Sequence, residues 1–457
     1  MTPTASPLEE RLIDYAATLE LSDVPQAARG QALRRLMDTV GGGIGAYAAE
    51  PARIARRLAQ PVAGGPAARV WGSLVATTPE AAAFANGTML RFLDINDTHR
   101  ARDGSHPSDN IGGIIAMAEA LDLSGADMLL ALIISYEIQC RFVDVVGFND
   151  AGWDQPVPGA MACALACGRM LGLDRAQLRD ALALSVIPNL CTYQTRAGEL
   201  SMWKGSAAAN GARNGIFAAR LAAEGMTGPY EAFDGVFGLW KQTMGTPHDL
   251  PALARGEGAR FAVQQSNIKM YPVRDSCQLP VNTARDLRAQ VAPEEIAALK
   301  IITYKSAHKG AVADPELWAP KTRETADHSM LVSVAVTLID GTITPASFEN
   351  GRFLDADVLG LIGRTEVEVS DDFSAQSPAV RNCRLEATDR AGKTHVAHLK
   401  LTPEDIERGP SDAELEAKFL MLTRPFMPEA AARRLHEGLL AADSFDRVRD
   451  LVDLTAI

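Results

Sequence analysis

Residues 86–119 are the part of this chain of 457 residues in which side chains that could do chemistry are most densely grouped. Two carboxylates, Asp94 and Asp97, precede His106, with hydroxyls and arginines around them. An imidazole titrates near neutral pH, so His106 could donate or accept a proton; alternatively, it only caps a helix beginning after Pro107. The two acids are three residues apart and would share one face of a helical turn. They could orient His106 or a lysine, bind substrate hydroxyls, or cap a helix end.

Two predicted helices hold this polar stretch in place. Thr78, Pro79 and Glu80 have the residue types of an N-cap, a first-turn proline and an acid that matches the helix dipole. Downstream, residues 111–121 are apolar at helical spacing. A connection fixed at both ends is where a rigid scaffold usually places its reactive groups, so we expect an active site here.

The amino-acid composition and the net charge indicate which kinds of binding partner suit this chain. The chain has 47% hydrophobic and 22% charged residues and a formal net charge of −12, which is ordinary for a globular protein except for the acidity. The acidity argues against a nucleic acid or an anionic membrane as partner. A small anionic substrate is still possible, because basic residues lie near the motifs described below.

The sequence also indicates the cellular compartment in which we expect the protein. The longest nearly apolar run, residues 128–134, is too short to span a bilayer, and the first twelve residues do not resemble a signal peptide. We therefore expect a cytoplasmic protein without a membrane partner. The six cysteines show no paired spacing, which predicts reduced thiols and neither an iron–sulfur cluster nor a structural zinc.

The pattern of predicted elements changes twice along the chain. Residues 8 to about 265 read as successive helices, and helices resume at Ser411, which begins a capping-box sequence. Between them, four β-rich runs surround one predicted helix, and these runs are residues 298–305, 365–370, 383–388 and 395–401. We predict a mainly α fold with an inserted α+β domain: an all-helical domain of residues 1–266 and 411–457, and an α+β domain of residues 267–410.

A glycine cluster at residues 41–45 could suggest a phosphate-binding loop. It follows a helical pattern rather than a strand, and it lacks the spacing of a phosphate-loop motif. Small residues also allow helices to approach closely. We therefore interpret the cluster as a helix-packing feature and expect no nucleotide cofactor.

Five motifs in one order carry a family resemblance. They are LDINDTH and GSHPSDN in the polar stretch, the segment 202–229, KMYP at 269–272, and TRETADHS at 322–329. With these motifs the chain resembles the MmgE/PrpD family, which includes 2-methylcitrate dehydratases, cis-aconitate decarboxylases and an iminodisuccinate epimerase. The resemblance implies a large helical domain with a smaller α+β lid domain, a homodimer, and a role in propionate catabolism.

It also implies removal of water or carbon dioxide from a polycarboxylate without a metal or other cofactor. Such chemistry needs a base for a proton next to a carboxylate, cations for the charge that gathers there, and an acid for the leaving group. The implied catalytic residues are His106, Asp94, Lys204, Lys269 and Tyr304. The implied substrate-binding residues are Asp97, Thr98, Arg102, Arg274, Gln155 and Ser276. Taken alone, either lysine is more simply a surface charge, and Tyr304 a packing residue.

Two positions depart from the family pattern. Gln155 follows Asp154 where methylcitrate dehydratases usually have a histidine, and Ser276 occupies a second position where a histidine is common. Neither side chain titrates near neutral pH, so the usual set of proton-transfer groups is incomplete. Cys277 could supply a thiolate, although a buried, inert cysteine is the commoner case.

Three functions remain open from the sequence. The first is a cofactor-free hydro-lyase acting on a 2-methylcitrate-like hydroxy-polycarboxylate by α-proton abstraction. The second is an isomerase, epimerase or decarboxylase on a related di- or tricarboxylate, which suits the two missing histidines. The third is a catalytically silent relative that binds a polycarboxylate or a partner protein, because a shared fold does not guarantee activity.

Overall fold

The computed structural model describes residues 6–457. Residues 1–5 lie outside the described residues. They fall within the predicted helical domain and within the first twelve residues, on which the expectation of a cytoplasmic protein partly depends. The chain divides into two compact units. The helical unit comprises residues up to Thr195, Gly205–Ile268 and Pro410–Ile457. The α+β unit comprises Arg196–Lys204 and Lys269–Gly409, so residues 196–204 belong to it rather than to the helical unit.

Within the described residues, ten α-helices of the helical unit lie before residue 269. They are α1 (Pro7–Thr18), α2 (Gln26–Gly45), α3 (Glu50–Leu58), α4 (Pro79–Phe92), α5 (Ile111–Ala120), α6 (Gly125–Val145), α7 (Pro156–Met170), α8 (Arg175–Val186), α9 (Ala207–Ala223) and α10 (Leu239–Gln242). Two small antiparallel ribbons accompany them: β1 (Ala68–Arg69) with β2 (Ala76–Thr77), and β3 (His99–Arg100) with β4 (Gly104–Ser105). This unit is therefore mainly but not entirely helical.

Local signals set the helix starts, and the start of α4 lies where it was predicted. Thr78 is the N-cap of α4 and its hydroxyl accepts a hydrogen bond from the Ala81 backbone N–H. Ser124 caps α6 in the same way, through the N–H of Asp127. Hydroxyl caps stabilise a helix start because they satisfy N–H groups that have no partner within the helix.

Close packing explains the glycine cluster. A Cβ atom on Gly41 would lie 2.5 Å from the Phe419 ring, and one on Gly43 would lie 2.9 Å from Trp71. Both glycines are buried within α2. Only a residue without a side chain fits at these contacts, which confirms the helix-packing interpretation.

One stretch is less helical than predicted. Between the end of α9 and residue 267, the chain forms only α10 and a 3-10 turn at Ala262–Gln264. The glycines at 225, 245, 256 and 258 have positive φ there, and prolines interrupt the segment. Left-handed glycines and prolines end helices, so this segment follows an irregular path.

The α+β unit is built on one four-stranded sheet. Its helices are α11 (Asp275–Arg288), α12 (Lys305–Ala311), α13 (Arg323–Ala326), α14 (Met330–Asp340), α15 (Ala356–Ile362), α16 (Asp371–Gln376) and α17 (Pro403–Arg408). Its strands are β5 (Ile296–Thr303), β6 (Thr365–Val369), β7 (Arg381–Asp389) and β8 (Thr394–Leu401). The sheet order is β6-β5-β7-β8, with β5 and β6 parallel and the other pairs antiparallel.

The core of this unit lies between the sheet and its two longest helices. Apolar residues of α11, including Val281 and Leu287, are buried together with Val334 of α14 and with Ile301 and Leu385 of the sheet. All four predicted strands and the helix predicted at residues 329–339 are present. A mainly α fold with a smaller α+β part is therefore confirmed.

The last helices return to the helical unit. They are α18 (Asp412–Thr423), α19 (Glu429–Leu440) and α20 (Val448–Asp453). Ser411 and Glu414 form the predicted capping box at the start of α18. Within residues 6–457, no single helix is long and apolar enough to cross a membrane; the bent pair formed by α14 and the 3-10 segment Pro345–Leu354 meets that test by length and composition only.

Candidate active site

The polar loop begins where α4 ends. Phe92 is the last residue of α4, and Asp94 has a φ of 51°, in the left-handed region. Asp94 and Asp97 are therefore not on one helical turn, and the prediction that they share a helical face is wrong. The chain leaves the helix before Asp94, because a left-handed residue cannot continue a right-handed helix. The Asp94 carboxylate forms an ion pair with Arg91 of α4, and both side chains are buried.

His106 is held by two hydrogen bonds in the same unit. Its Nδ1 atom lies 2.7 Å from the backbone carbonyl oxygen of Asp97, and its backbone N–H donates to Gln155 Oε1 at 2.7 Å. A carbonyl oxygen only accepts, so Nδ1 carries the proton of this bond. Nε2 is then the ring nitrogen that can exchange a proton. His106 precedes the 3-10 helix Pro107–Asn110, but its side chain does not cap that helix.

Gln155 links His106 to a second acid. Its amide oxygen accepts from His106, and its Nε2 donates to Asp109 Oδ2 at 3.1 Å. The side chain is buried, and both ends of the amide have partners. Asp109 also lies 3.6 Å from the Arg91 guanidinium. Gln155 therefore positions the loop that carries His106 and does not titrate itself.

Asp97 is a buried carboxylate with several donors around it. Its Oδ1 accepts from the Ser108 N–H at 3.2 Å, and its Oδ2 accepts from the Tyr136 hydroxyl at 3.0 Å. Burial, and next the Asp97 charge, raise the pKa of Tyr136 well above its ordinary value, so the phenol keeps its proton and donates. Arg35 lies 3.7 Å away and compensates the charge. Asp97 thus fixes the loop that orients His106.

Thr98 and Arg102 differ in exposure. Thr98 is buried, its backbone pairs with Asn267, and its hydroxyl donates to the Ser105 carbonyl oxygen at 3.2 Å. Arg102 forms an ion pair with Asp150 at 2.9 Å, and each side chain is 54% exposed. Thr98 therefore belongs to the buried part of the loop, whereas Arg102 lies at the surface.

In the α+β unit, Lys204 is buried beside a carboxylate. Its Nζ lies 3.1 and 3.2 Å from the two carboxylate oxygens of Asp327, and Arg323 Nη1 lies 3.1 Å from Oδ2. The Lys204 and Lys269 side chains are 1% and 0% exposed. The alternative that these lysines are surface charges is therefore wrong. Two basic side chains of the α+β unit, Lys204 and Arg323, therefore contact the same carboxylate.

Asp327 also holds a second histidine, His328, which was not among the predicted site residues. His328 Nδ1 lies 2.5 Å from Asp327 Oδ1. Burial alone would raise the pKa of Asp327, but Lys204, His328 and Arg323 outweigh it and lower this pKa below its ordinary value. Asp327 is therefore ionised at neutral pH. Both residues lie in the quoted motif TRETADHS, where an acid next to a histidine was the available signal.

The start of α11 contains two further predicted site residues. Arg274 is the N-cap of α11, and its backbone N–H donates to the Asp327 carbonyl oxygen at 2.9 Å. Ser276, in the first turn, is buried, and its hydroxyl oxygen has no hydrogen-bond partner among the described residues. A buried hydroxyl without a partner costs about 1–3 kcal/mol, so such a group usually serves a ligand or water. Tyr304, buried, follows β5 as the N-cap of α12.

Comparison with known proteins identifies the family to which this chain belongs. Residues 10–250 match the MmgE/PrpD N-terminal domain, and residues 271–442 match the MmgE/PrpD C-terminal domain. The chain therefore belongs to the MmgE/PrpD family, as its motifs indicated.

Individual relatives carry two different activities in their names. The chain is 30% identical to a 2-methylcitrate dehydratase of Cupriavidus necator, over 77% of this chain and 75% of the relative. It is 27% identical to a cis-aconitate decarboxylase of Homo sapiens, over 84% and 81% of the two chains. A 2-methylcitrate dehydratase of Escherichia coli (strain K12) is 28% identical over 74% and 72%.

Proposed function

We propose that this protein is a hydro-lyase that removes water from a 2-methylcitrate-like hydroxy-polycarboxylate without a cofactor. A base takes a proton from a carbon next to a carboxylate, and a hydroxyl group leaves from the neighbouring carbon as water. The electron pair of the broken C–H bond becomes the second bond of a C=C double bond. The product is an unsaturated polycarboxylate.

One observation carries the proposal: the hydrogen bond between His106 Nδ1 and the Asp97 carbonyl oxygen. It fixes the ring so that Nε2 is the atom that exchanges a proton, which general acid–base catalysis requires. Membership of a family whose relatives include 2-methylcitrate dehydratases supports the reaction type.

The proposed roles follow from residue type and surroundings. His106 assists the leaving hydroxyl, and Lys204 and Lys269 stabilise the charge that gathers on the substrate carboxylate. The further catalytic residues proposed are Asp94 and Tyr304. The substrate-binding residues proposed are Asp97, Thr98, Arg102, Arg274, Gln155 and Ser276. The contacts of Gln155 favour an indirect contribution through His106, and the buried hydroxyl of Ser276 favours a direct one.

A second candidate keeps the substrate class and changes the outcome. Gln155 and Ser276 occupy positions where the resemblance implies histidines, and a cis-aconitate decarboxylase is among the relatives. These observations favour an isomerase, epimerase or decarboxylase acting on a related di- or tricarboxylate. Such reactions share the need for cations that stabilise the charge on a substrate carboxylate.

The deciding experiment follows a panel of substrates in deuterated buffer by NMR. Purified protein is incubated with 2-methylcitrate, citrate, cis-aconitate and related dicarboxylates. The hydro-lyase predicts loss of water from a hydroxy acid. Deuterium incorporation without loss of water indicates an isomerase or epimerase, and carbon dioxide release indicates a decarboxylase. Thermal stabilisation by these acids without any product indicates the catalytically silent relative.

We also propose a cytoplasmic homodimer. Six free cysteines support a reducing compartment. Val236 and Phe237, which are 75% and 78% exposed, support an apolar contact to a second copy, as the resemblance implies. Light scattering after size-exclusion chromatography tests the dimer: the wild type is expected to have twice the mass of one chain, and the F237S variant to shift toward the monomer. Cell fractionation tests the compartment.

A further inference from the structure

His328 lies in a hydrogen-bonded turn of the α+β unit. The turn joins α13 to α14, and the Ser329 hydroxyl caps α14 by accepting from the Val332 N–H. The N–H of His328 itself donates to the Thr325 carbonyl oxygen at 3.1 Å. The side chain is buried. These contacts fix the backbone that carries the imidazole, and positioned groups are what proton transfer to a bound molecule requires.

The partner of His328 determines which ring nitrogen titrates. Asp327 Oδ1 lies 2.5 Å from His328 Nδ1, and an ionised carboxylate only accepts, so Nδ1 carries the proton. Lys204 and Arg323 also contact the Asp327 carboxylate and keep it ionised. Asp327 is therefore a poor base itself. Its effect is to orient the imidazole and to direct proton exchange to Nε2.

The turn that carries His328 contacts the first turn of α11. The Cys277 thiol donates to the His328 carbonyl oxygen at 3.9 Å, and the Arg274 N–H donates to the Asp327 carbonyl oxygen at 2.9 Å. The turn with His328 thus packs on the first turn of α11, which contains Ser276. Ser276 occupies one of the two positions where a histidine is absent from this chain.

We propose that His328 is the base of the reaction and that Asp327 is its positioning residue. This inference rests on the proposed hydro-lyase function. His328 Nε2 takes the proton from the carbon next to a substrate carboxylate, and the C–H electron pair forms the C=C bond. The C–O bond breaks, and the oxygen leaves as water with a proton from the general acid. Solvent then removes the proton from His328 and returns one to the acid.

The variant His328→Asn tests the proposal with little change in shape. The asparagine amide can donate to Asp327 from nearly the position of Nδ1, but it has no group that takes up a proton at neutral pH. With 2-methylcitrate as probe, we expect kcat to fall by roughly 10²-fold or more, with a similar loss of deuterium exchange at the substrate carbon. The KM is expected to change little.

A matched control exists in the same unit. His395 Nε2 lies 2.9 Å from Asp389 Oδ2, in the hairpin of β7 and β8. The variant His395→Gln removes an imidazole from a second His–Asp pair and is expected to keep wild-type kcat. The variant Asp327→Asn is expected to lower kcat more than it changes KM, as a positioning residue should.

A second readout separates catalysis from folding. The variant His328→Ala is expected to recover part of its kcat when free imidazole is added, because the small molecule replaces the missing base. If His328→Asn does not fold, His328→Gln is judged by the same loss of kcat and exchange. Near wild-type rates in a folded His328 variant overturn this inference alone. A wild-type protein that turns over no polycarboxylate overturns the proposed function as well.

Discussion

The ammonium group of Lys418 donates a 2.9 Å hydrogen bond to the backbone carbonyl oxygen of Ile95, between the two acids of the polar loop. Its Nζ also contacts Asp38 Oδ1 at 2.5 Å. Lys418 lies on α18, more than 300 residues further along the chain than Ile95, and Asp38 lies on α2. All of these groups are buried. The segment that returns after the α+β unit therefore fixes the loop that orients His106.

From these two contacts of Lys418 we predict that the variant Lys418→Met has a much lower free energy of unfolding than the wild type. The variant leaves a buried Asp38 carboxylate and the Ile95 carbonyl without the ammonium, and breaking a buried ion pair typically costs about 3–5 kcal/mol. Denaturant unfolding followed by circular dichroism measures it. The double variant Asp38→Leu with Lys418→Met is expected to recover part of the loss, since neither charge is then left alone. The exposed Lys241→Met is the control; equal midpoints for Lys418→Met and Lys241→Met would contradict the role of the buried pair.

We predict that replacing His106 lowers the catalytic rate and leaves the fold intact. In His106→Asn, the amide can still donate to the Asp97 carbonyl oxygen, but no titrating nitrogen remains. General acid–base groups contribute about 10²–10⁴-fold, so we expect kcat for water loss to fall within that range. Unfolding midpoints should stay close to those of the wild type. The control is His308→Asn on α12; a His106 variant as active as this control would exclude His106 as the acid.

We predict that replacing Gln155 lowers the catalytic rate by a smaller factor, because Gln155 acts through His106. Gln155→Leu removes the acceptor for the His106 N–H and the donor to Asp109, so two buried polar groups lose a partner. We expect about 1–3 kcal/mol of destabilisation and a lower kcat. Gln155→Glu places a carboxylate next to Asp109 and should be at least as harmful at neutral pH. The exposed Gln290→Leu is the control. A rise in KM alone for Gln155→Leu would show that Gln155 binds substrate rather than positioning His106.

Local signals in the sequence predicted much of the fold. The caps at Thr78 and Ser411 require only neighbouring residues, so their helices start where predicted. The four β-rich runs were also recognisable, because branched and aromatic residues favour strands wherever they pair. Strand order was not recognisable. The parallel pairing of β5 with β6 depends on a connection of more than sixty residues, whose path no local pattern specifies.

For the candidate site, too, the sequence indicated residue types but not their tertiary contacts. The sequence indicated His106 and the acids around it, but not that Asp97 orients the ring through its backbone, because backbone direction after α4 depends on the left-handed Asp94. Gln155 was recognised as a departure from a family pattern, whereas its two hydrogen bonds join residues 46 and 49 positions apart. His328 was quoted only as part of a motif, since the direction of its ring toward Asp327 is a tertiary property.

The ionised Asp327 predicts how stability depends on pH. Its pKa in the folded protein lies below the ordinary value, because Lys204, His328 and Arg323 outweigh the effect of burial. A carboxyl group with a lowered folded pKa stabilises the protein above its unfolded pKa of about 3.9 and loses that contribution as the pH falls through this value toward the folded pKa. Asp327→Asn removes the contribution and leaves two buried cations uncompensated.

We therefore expect wild-type protein to unfold at a higher denaturant concentration than Asp327→Asn at pH 7, with a difference of several kcal/mol. The difference should shrink steadily as the pH falls below about 4, since the wild-type carboxylate then becomes protonated. Asp389→Asn, in the β7–β8 hairpin, is the control. The Asp389 pKa is also lowered, chiefly by His395, but this carboxylate is partly exposed in a hairpin and should contribute less than the fully buried Asp327. A difference between wild type and Asp327→Asn that stays constant from pH 7 to 3 would show that Asp327 is not held ionised by its neighbours.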